Sequence, residues 1–236
     1  MFGRKKKASP DELDEQAAPV EPVDAPDDGA PVRPQGPWDD ADAPTDEVNR
    51  IDLGGLRVPV PPDTEVRVDV SPEGAVVAAT LVRGASAMQV NAFAAPRRAG
   101  IWDEIRGEIA ATLREGGGKA VDVQGPFGVE LHAAVPTEVA GQGKALAPAR
   151  FLGVDGPRWF LRALLTGPAA VEAAEAVPML TALKHCVVVR GSEAMAVRDP
   201  LPLRLPKEVT AAASAGSTAP APLQPPERGP EITETR

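Results

Sequence analysis

The apolar pattern of the chain predicts an α+β domain: a mostly antiparallel sheet, with an amphipathic helix and a second kinked or split helix packed on one face, between disordered termini. Three observations carry this. Segments with an apolar residue at every second position outnumber those with helical spacing. Compact turn sequences join several of these segments into hairpins. No regular alternation of strand and helix appears, as a parallel sheet would require.

Composition sets the limits of the domain. Of 27 Pro, eight fall before residue 48 and five after residue 219. Residues 1–48 carry five basic and thirteen acidic residues, a net of −8, whereas residues 49–209 carry eighteen of each. An acidic arm with few large apolar residues cannot bury enough surface to offset its ordering entropy, so residues 1–48 read as a disordered, Pro-rich acidic tail. Residues 210–236, rich in Ala, Pro, Ser and Thr, read as a second disordered tail. Between them, residues 49–209 form a single α+β domain, able to bury roughly 70% of its unfolded surface. Trp38, in GPWDD, marks where the acidic arm first touches the body.

The single Cys186 excludes an intramolecular disulfide and a multi-Cys zinc site, and a reducing, cytoplasmic compartment is the simplest reading. The start, MFGRKKK, is followed by SPDELDEQ where a secretion signal needs an apolar run. No stretch approaches the roughly 20 apolar residues of a membrane span. Arg4, Lys5, Lys6 and Lys7 offer weak contact with an anionic membrane surface, against which the acidic residues from Asp11 onward count.

In chain order, Ile51 to Val60 reads as one strand with a bulge or kink at Gly54-Gly55, held to an edge or terminal position by its prolines. Val66, Val68 and Val70 alternate with Arg67 and Asp69, and Ser71-Pro72-Glu73-Gly74 turns the chain into Ala75 to Val82, the clearest hairpin. Met88, Val90, Ala92 and Ala94 line one face of the next strand. The period then changes: Trp102, Ile105, Ile109 and Leu113 form one stripe of a helix over Ile101 to Glu115, stopped by Gly116-Gly117-Gly118. Short strands follow at Val121 to Val123 and at Gly128 to Val135, the latter ended by Pro136, with Thr137 to Ala147 as a loop. Arg150 to Val154 and Arg158 to Thr166 pair across a tight Asp155-Gly156-Pro157 turn, which the aspartate-glycine pair favours. Ala169 to Lys184 is helical, interrupted at Pro178; His185 to Arg190 is a buried strand, and Asp199 to Pro206 is an extended strap.

Residues capable of chemistry are few. Gly116 to Lys119 lacks the remaining glycine, the following Ser or Thr and the strand-loop-helix order of a phosphate loop, so it reads as helix termination. His132 and His185 are the only histidines, and neither stands at metal-ligand spacing; no metal or cofactor is expected. Glu130 and His132 share a strand face and would serve as acid and base, or bind a metal, or, as is commoner, stand simply as polar residues on an exposed face. Ser86 lacks the setting of a hydrolase nucleophile, and Cys186 precedes an apolar run that keeps a thiol inert. Arg97-Arg98, Arg158 and Arg162 lie near Phe93, Trp159 and Phe160, an interleaving suited to single-stranded nucleic acid, but the balanced charge supplies no basic field. On Arg158 to Leu165, alternation gives Trp159, Leu161, Ala163 and Leu165 to the core. It sets Arg158, Phe160 and Arg162 on the other face, two guanidiniums about 7 Å apart that either clamp an anion or pair with local carboxylates.

The motifs RIDLGGLRVP, NAFAAPRRAGIWDEIR, GPFGVEL, GVDGPRWFLR, VVVRG and DPLPLRLP, in this order, resemble an actinobacterial domain-of-unknown-function family of cytosolic proteins rich in alanine, glycine and valine. The resemblance covers Pro37 to about Pro206 and implies no activity, substrate or catalytic residue. Its genes neighbour those for a deoxyuridine triphosphatase and an oligonucleotide-binding-fold protein, an association with nucleotides but not a mechanism.

The leading expectation is a non-catalytic binding or interaction module that recognises an anionic ligand or acidic partner through Arg158, Arg162, Phe160, Phe93 and Trp102. The alternatives are an enzyme acting on a nucleotide or other small anion, with Glu130 and His132 as acid and base, and a binder of single-stranded nucleic acid.

Overall fold

The structure, a computed structural model, describes residues 36–139 and 143–205. Most of the acidic arm, with Arg4, Lys5, Lys6 and Lys7, and the tail over residues 210–236 lie outside the described residues.

The strongest alternation in the sequence builds the larger sheet. Glu65–Val70 (β4) and Val76–Arg83 (β5) form the hairpin expected at Ser71 to Gly74, whose turn is closed by Gly74 N donating to Ser71 O at 2.9 Å. Ser86–Ala94 (β6) adds to β5 and turns Met88, Val90, Ala92 and Ala94 into the core. After helix α1 (Trp102–Glu115) come Lys119–Gly125 (β7), Gly128–Val139 (β8), Gly143–Gly156 (β9) and Trp159–Thr166 (β10). All pairings are antiparallel, in the order β4-β5-β6-β10-β9-β8-β7. Strand β10 is therefore central, with β6 on one side and β9 on the other.

Several elements differ from the sequence reading. Pro136 does not end β8, and the loop expected over Thr137 to Ala147 is largely the continuation of a β8–β9 hairpin, with Pro136 opposite Leu146. Strand β7 pairs with β8 only as far as Ala134, so beyond that point no described strand pairs with the other edge of β8. An unpaired edge is where a strand tolerates a residue without an N–H. The run from Ile51 to Val60 is likewise two strands, Arg50–Asp52 (β2) and Leu56–Pro59 (β3), folded back on each other at Gly54, whose φ of 82° an L side chain rarely adopts.

These two join Trp38–Asp39 (β1) and Val187–Val188 (β11) in a four-stranded sheet of order β1-β11-β3-β2, in which β1 and β11 are parallel. Residues 36–48, assigned by composition to the acidic arm, thus include a strand, and Asp39 accepts a hydrogen bond from the buried Trp159 indole at 2.7 Å. A short 3₁₀ turn, Gly167–Ala170, leads into helix α2, Ala173–Lys184, which keeps Pro178 in its interior.

The main core lies between the smaller sheet with α2 and one face of the larger sheet, the inner face. It joins Leu53, Leu56 and Val58 to Leu81, Met88, Leu152, Trp159, Leu161, Leu165, Met179 and Leu183. The strap closes it: Leu201 is buried and donates to Ala92 O at 2.9 Å, while Arg204 donates to Leu53 O at 2.7 Å, tying both sheets together. The opposite, outer face of the larger sheet is covered by α1 over β7, β8 and β9. There Trp102, Phe160 and Phe93 form a second cluster, and Ala110, Ala120 and Leu131 a third.

Candidate functional site

The residues around β9 and β10 resolve into structural parts and one unusual cation. Gly153 and Gly156 leave flat places on β9. A Cβ on Gly153 would run into the Trp102 ring, and one on Gly156 into Trp159. The two indoles lie on opposite faces of the sheet, so these glycines let a helix and the core approach the same strand. Between them Asp155 accepts from Ile101 N at 2.8 Å and Trp102 N at 3.2 Å. It caps α1 from outside, where a carboxylate satisfies orphan amides and opposes the helix dipole. Trp102 is fixed further by donating to Val129 O at 2.6 Å.

Arg158 does not share a strand face with Arg162. The turn is centred on Pro157 and Arg158, not on Asp155-Gly156, and Arg158 adopts a φ of 61°. Its guanidinium donates to Gly191 O at 2.8 Å and its carbonyl accepts from Ala95 N at 2.9 Å. Pro157 presets the first turn position, and the second then requires the left-handed conformation. The expected two-guanidinium clamp is therefore absent, because the alternation begins at Trp159.

Arg162 remains on the outer face. It is half-buried, and its Nη2 donates to Asn91 Oδ1 at 3.3 Å, across the β6–β10 pairing. Its guanidinium lies 5.6 Å from the Phe93 ring centroid. The Nε is buried without a hydrogen-bond partner, and no described carboxylate lies within ion-pair distance. Burial accordingly pulls the guanidinium below its ordinary pKa. Phe93 stacks on the fully buried Phe160 at 6.0 Å, and Phe160 on Trp102 at 5.9 Å, so a row of three rings leads from α1 to Arg162. Toward β4 the same face carries Gln89 and Thr80, both donating to Asp69, at 2.9 and 2.8 Å.

Glu130 and His132 occupy the other face. Glu130 is 1% exposed and accepts from Arg150 Nε at 2.5 Å and Nη2 at 3.1 Å. His132 Nε2 lies 3.5 Å from Glu130 Oε2 without a hydrogen bond. Arg150 and His132 are opposite each other in the β8–β9 register, and Arg150 lies opposite Leu165, which places all three on the inner face. The pair is thus separated by the sheet from Arg162. Sequence reasoning passed over Arg150; the available signal was a basic residue at an inward position two residues before the buried Leu152.

The remaining candidates have structural settings. Ser86 is buried and accepts from Ala169 N at 3.1 Å. Cys186 is fully buried, and burial pushes its thiol up to about 12. Gly118 N donates to Leu113 O at 2.7 Å, so the three glycines close α1. Among the described residues no group of three or more His, Cys, Asp or Glu could hold a metal ion, and no helix is long and apolar enough to cross a membrane.

Fold and site together define a two-sheet α+β domain in which a half-buried cation, Arg162, lies without a described carboxylate partner beside a helix-covered aromatic row. The chain belongs to a family described as proteins of unknown function, DUF3710, which it matches over residues 36–212, starting where the described structure starts. No match is found among curated proteins or among solved structures.

Proposed function

We propose that this domain is a non-catalytic recognition module, acting in the cytoplasm, that takes an anionic group of a small ligand or of an acidic partner segment on its outer face at Arg162. The single observation behind this reading is the state of Arg162: partly desolvated, bonded to one neutral amide, and with Nε unpaired. A guanidinium held in this way has lost water without gaining a counter-charge, and an incoming carboxylate or phosphate recovers that loss through bidentate, charge-assisted bonds. Phe93 would flank the bound group, while Phe160 and Trp102 hold Phe93 and the end of α1 in place. Arg158 drops out of the site, being committed to the Gly191 carbonyl. The enzyme alternative needs Glu130 and His132 to act on a substrate held by Arg162, and their position across the sheet removes that convergence.

The test is a titration of the isotope-labelled full chain with inorganic phosphate and, separately, with a hexaglutamate peptide, followed through backbone amide shifts. Saturable shifts at Asn91, Phe93 and Arg162 that disappear in Arg162→Gln are expected. If neither probe moves these amides, or if Arg162→Gln responds like the parent, the reading is wrong. The two probes also separate a small anionic ligand from an acidic segment.

A further inference from the structure

A pocket of about 470 Å³ opens between the segments flanking the β2–β3 hairpin, the end of β5, and α2. Its volume lies within the range of small-molecule sites. It is independent of Arg162, which lies on the outer face of the larger sheet and does not line it.

The chemistry of the walls is unusual. Val48, Pro59, Val60, Pro61, Pro62 and Pro178 line the pocket. Four of these six residues are prolines with no N–H, and the Val60 N–H is already spent on Asn49 O at 3.0 Å. With the Val48 N–H on Asp46 Oδ1 at 3.2 Å, these six residues offer apolar surface without a free backbone donor. Among the described lining residues Arg83 is the one permanently charged cation. It is half-buried, and its guanidinium has no hydrogen bond or ion pair with any described residue. Asp63 also lines the pocket but is exposed, and no ion pair joins it to Arg83. At the α2 end stands His185, whose Nδ1 is buried and without a partner.

We infer that this pocket binds an amphipathic organic anion, a carboxylate or phosphate monoester on an apolar body, with the head group on Arg83 and the body against the proline wall. The apolar wall accounts for binding a hydrocarbon or aromatic part, and the unpaired guanidinium selects for charge at one end.

Octanoate, octyl phosphate and octanol, each titrated by calorimetry into the full chain, test this directly. Both anions should saturate a single site, octanol should bind at least about tenfold more weakly, and Arg83→Gln should abolish that preference. The tighter of the two anions identifies the head group. Thr181→Trp, placed on the exposed side of α2 to fill the pocket, should block all three probes while thermal unfolding shows the variant folded. Absence of saturation by both anions overturns the inference. So does an anion preference that survives Arg83→Gln, or binding that survives Thr181→Trp. Arg162→Gln is expected to leave these titrations unchanged, which keeps this site distinct from the outer face.

Discussion

The two faces of the seven-stranded sheet each hold an arginine, and they treat it in opposite ways. On the inner face Arg150 is locked to a fully buried Glu130 by two hydrogen bonds. On the outer face Arg162 has a neutral amide, an aromatic ring and no carboxylate. The first is a pair in which each charge needs the other. The second has capacity left over. Between them lies a single layer of strands, so the difference follows from which side chains the register puts next to each arginine.

The sharpest way to break this comparison is to remove one partner of the inner pair. Arg150→Met leaves the Glu130 carboxylate buried and unpaired, and urea unfolding should show a loss of about 3–5 kcal/mol. A loss near zero would mean that the inner pair is no more committed than Arg162. Next in size is Gly153→Val. It drives a side chain into the Trp102 ring, and should cost about 1–3 kcal/mol and shift tryptophan emission as the indole is displaced. This tests whether the covered half of the outer face depends on that flat place on β9. Arg162→Met should change stability by no more than about 1 kcal/mol, since it removes a cation that has no counter-charge to strand. A destabilisation as large as that of Arg150→Met would show that Arg162 is a structural element.

The smallest effect concerns a third arginine. Asp46 is held at about 2, from an ordinary 3.8, mainly by the hydrogen bond from Arg50, whose Nη1 lies 2.6 Å from its carboxylate. Because the folded value is depressed, the pair's contribution is present above about pH 4 and is lost as the pH falls through about 2. A carboxyl titration followed by NMR should place the Asp46 midpoint near 2, and Arg50→Met should return it toward 3.8. An unchanged midpoint would assign the shift to something other than Arg50.

Local pattern made much of the fold legible. The β4–β5 hairpin, the buried face of β6, the stripe of α1 and the core face of β10 follow from period and turn chemistry over a few residues. The misreadings occur where a neighbour distant in sequence decides. Pro136 sits in a strand because β7 stops short of it, and Arg158 leaves the strand because the hairpin turns at Pro157-Arg158, two residues beyond the Asp155-Gly156 pair. Of the residues expected from the sequence to form a binding surface, Phe93, Phe160, Trp102 and Arg162 are brought together on the outer face, and Arg158 is not. GVDGPRWFLR has the aromatics and arginines of a binding surface. Most of it is explained by packing, with one glycine for each indole and an aspartate for the helix end.

The sequence by itself determined the α+β class, the mostly antiparallel pairing and the family, because alternation, helical period and ordered motifs are properties of contiguous residues. Only the tertiary structure decided which charges are neutralised and where a pocket forms. Arg150 and Glu130 meet across strands 20 residues apart. The pocket joins Val48 and Pro62 to His185 across most of the domain. Whether a cation finds a carboxylate is settled by strand register and sheet packing, and those depend on long-range contacts that no local spacing encodes.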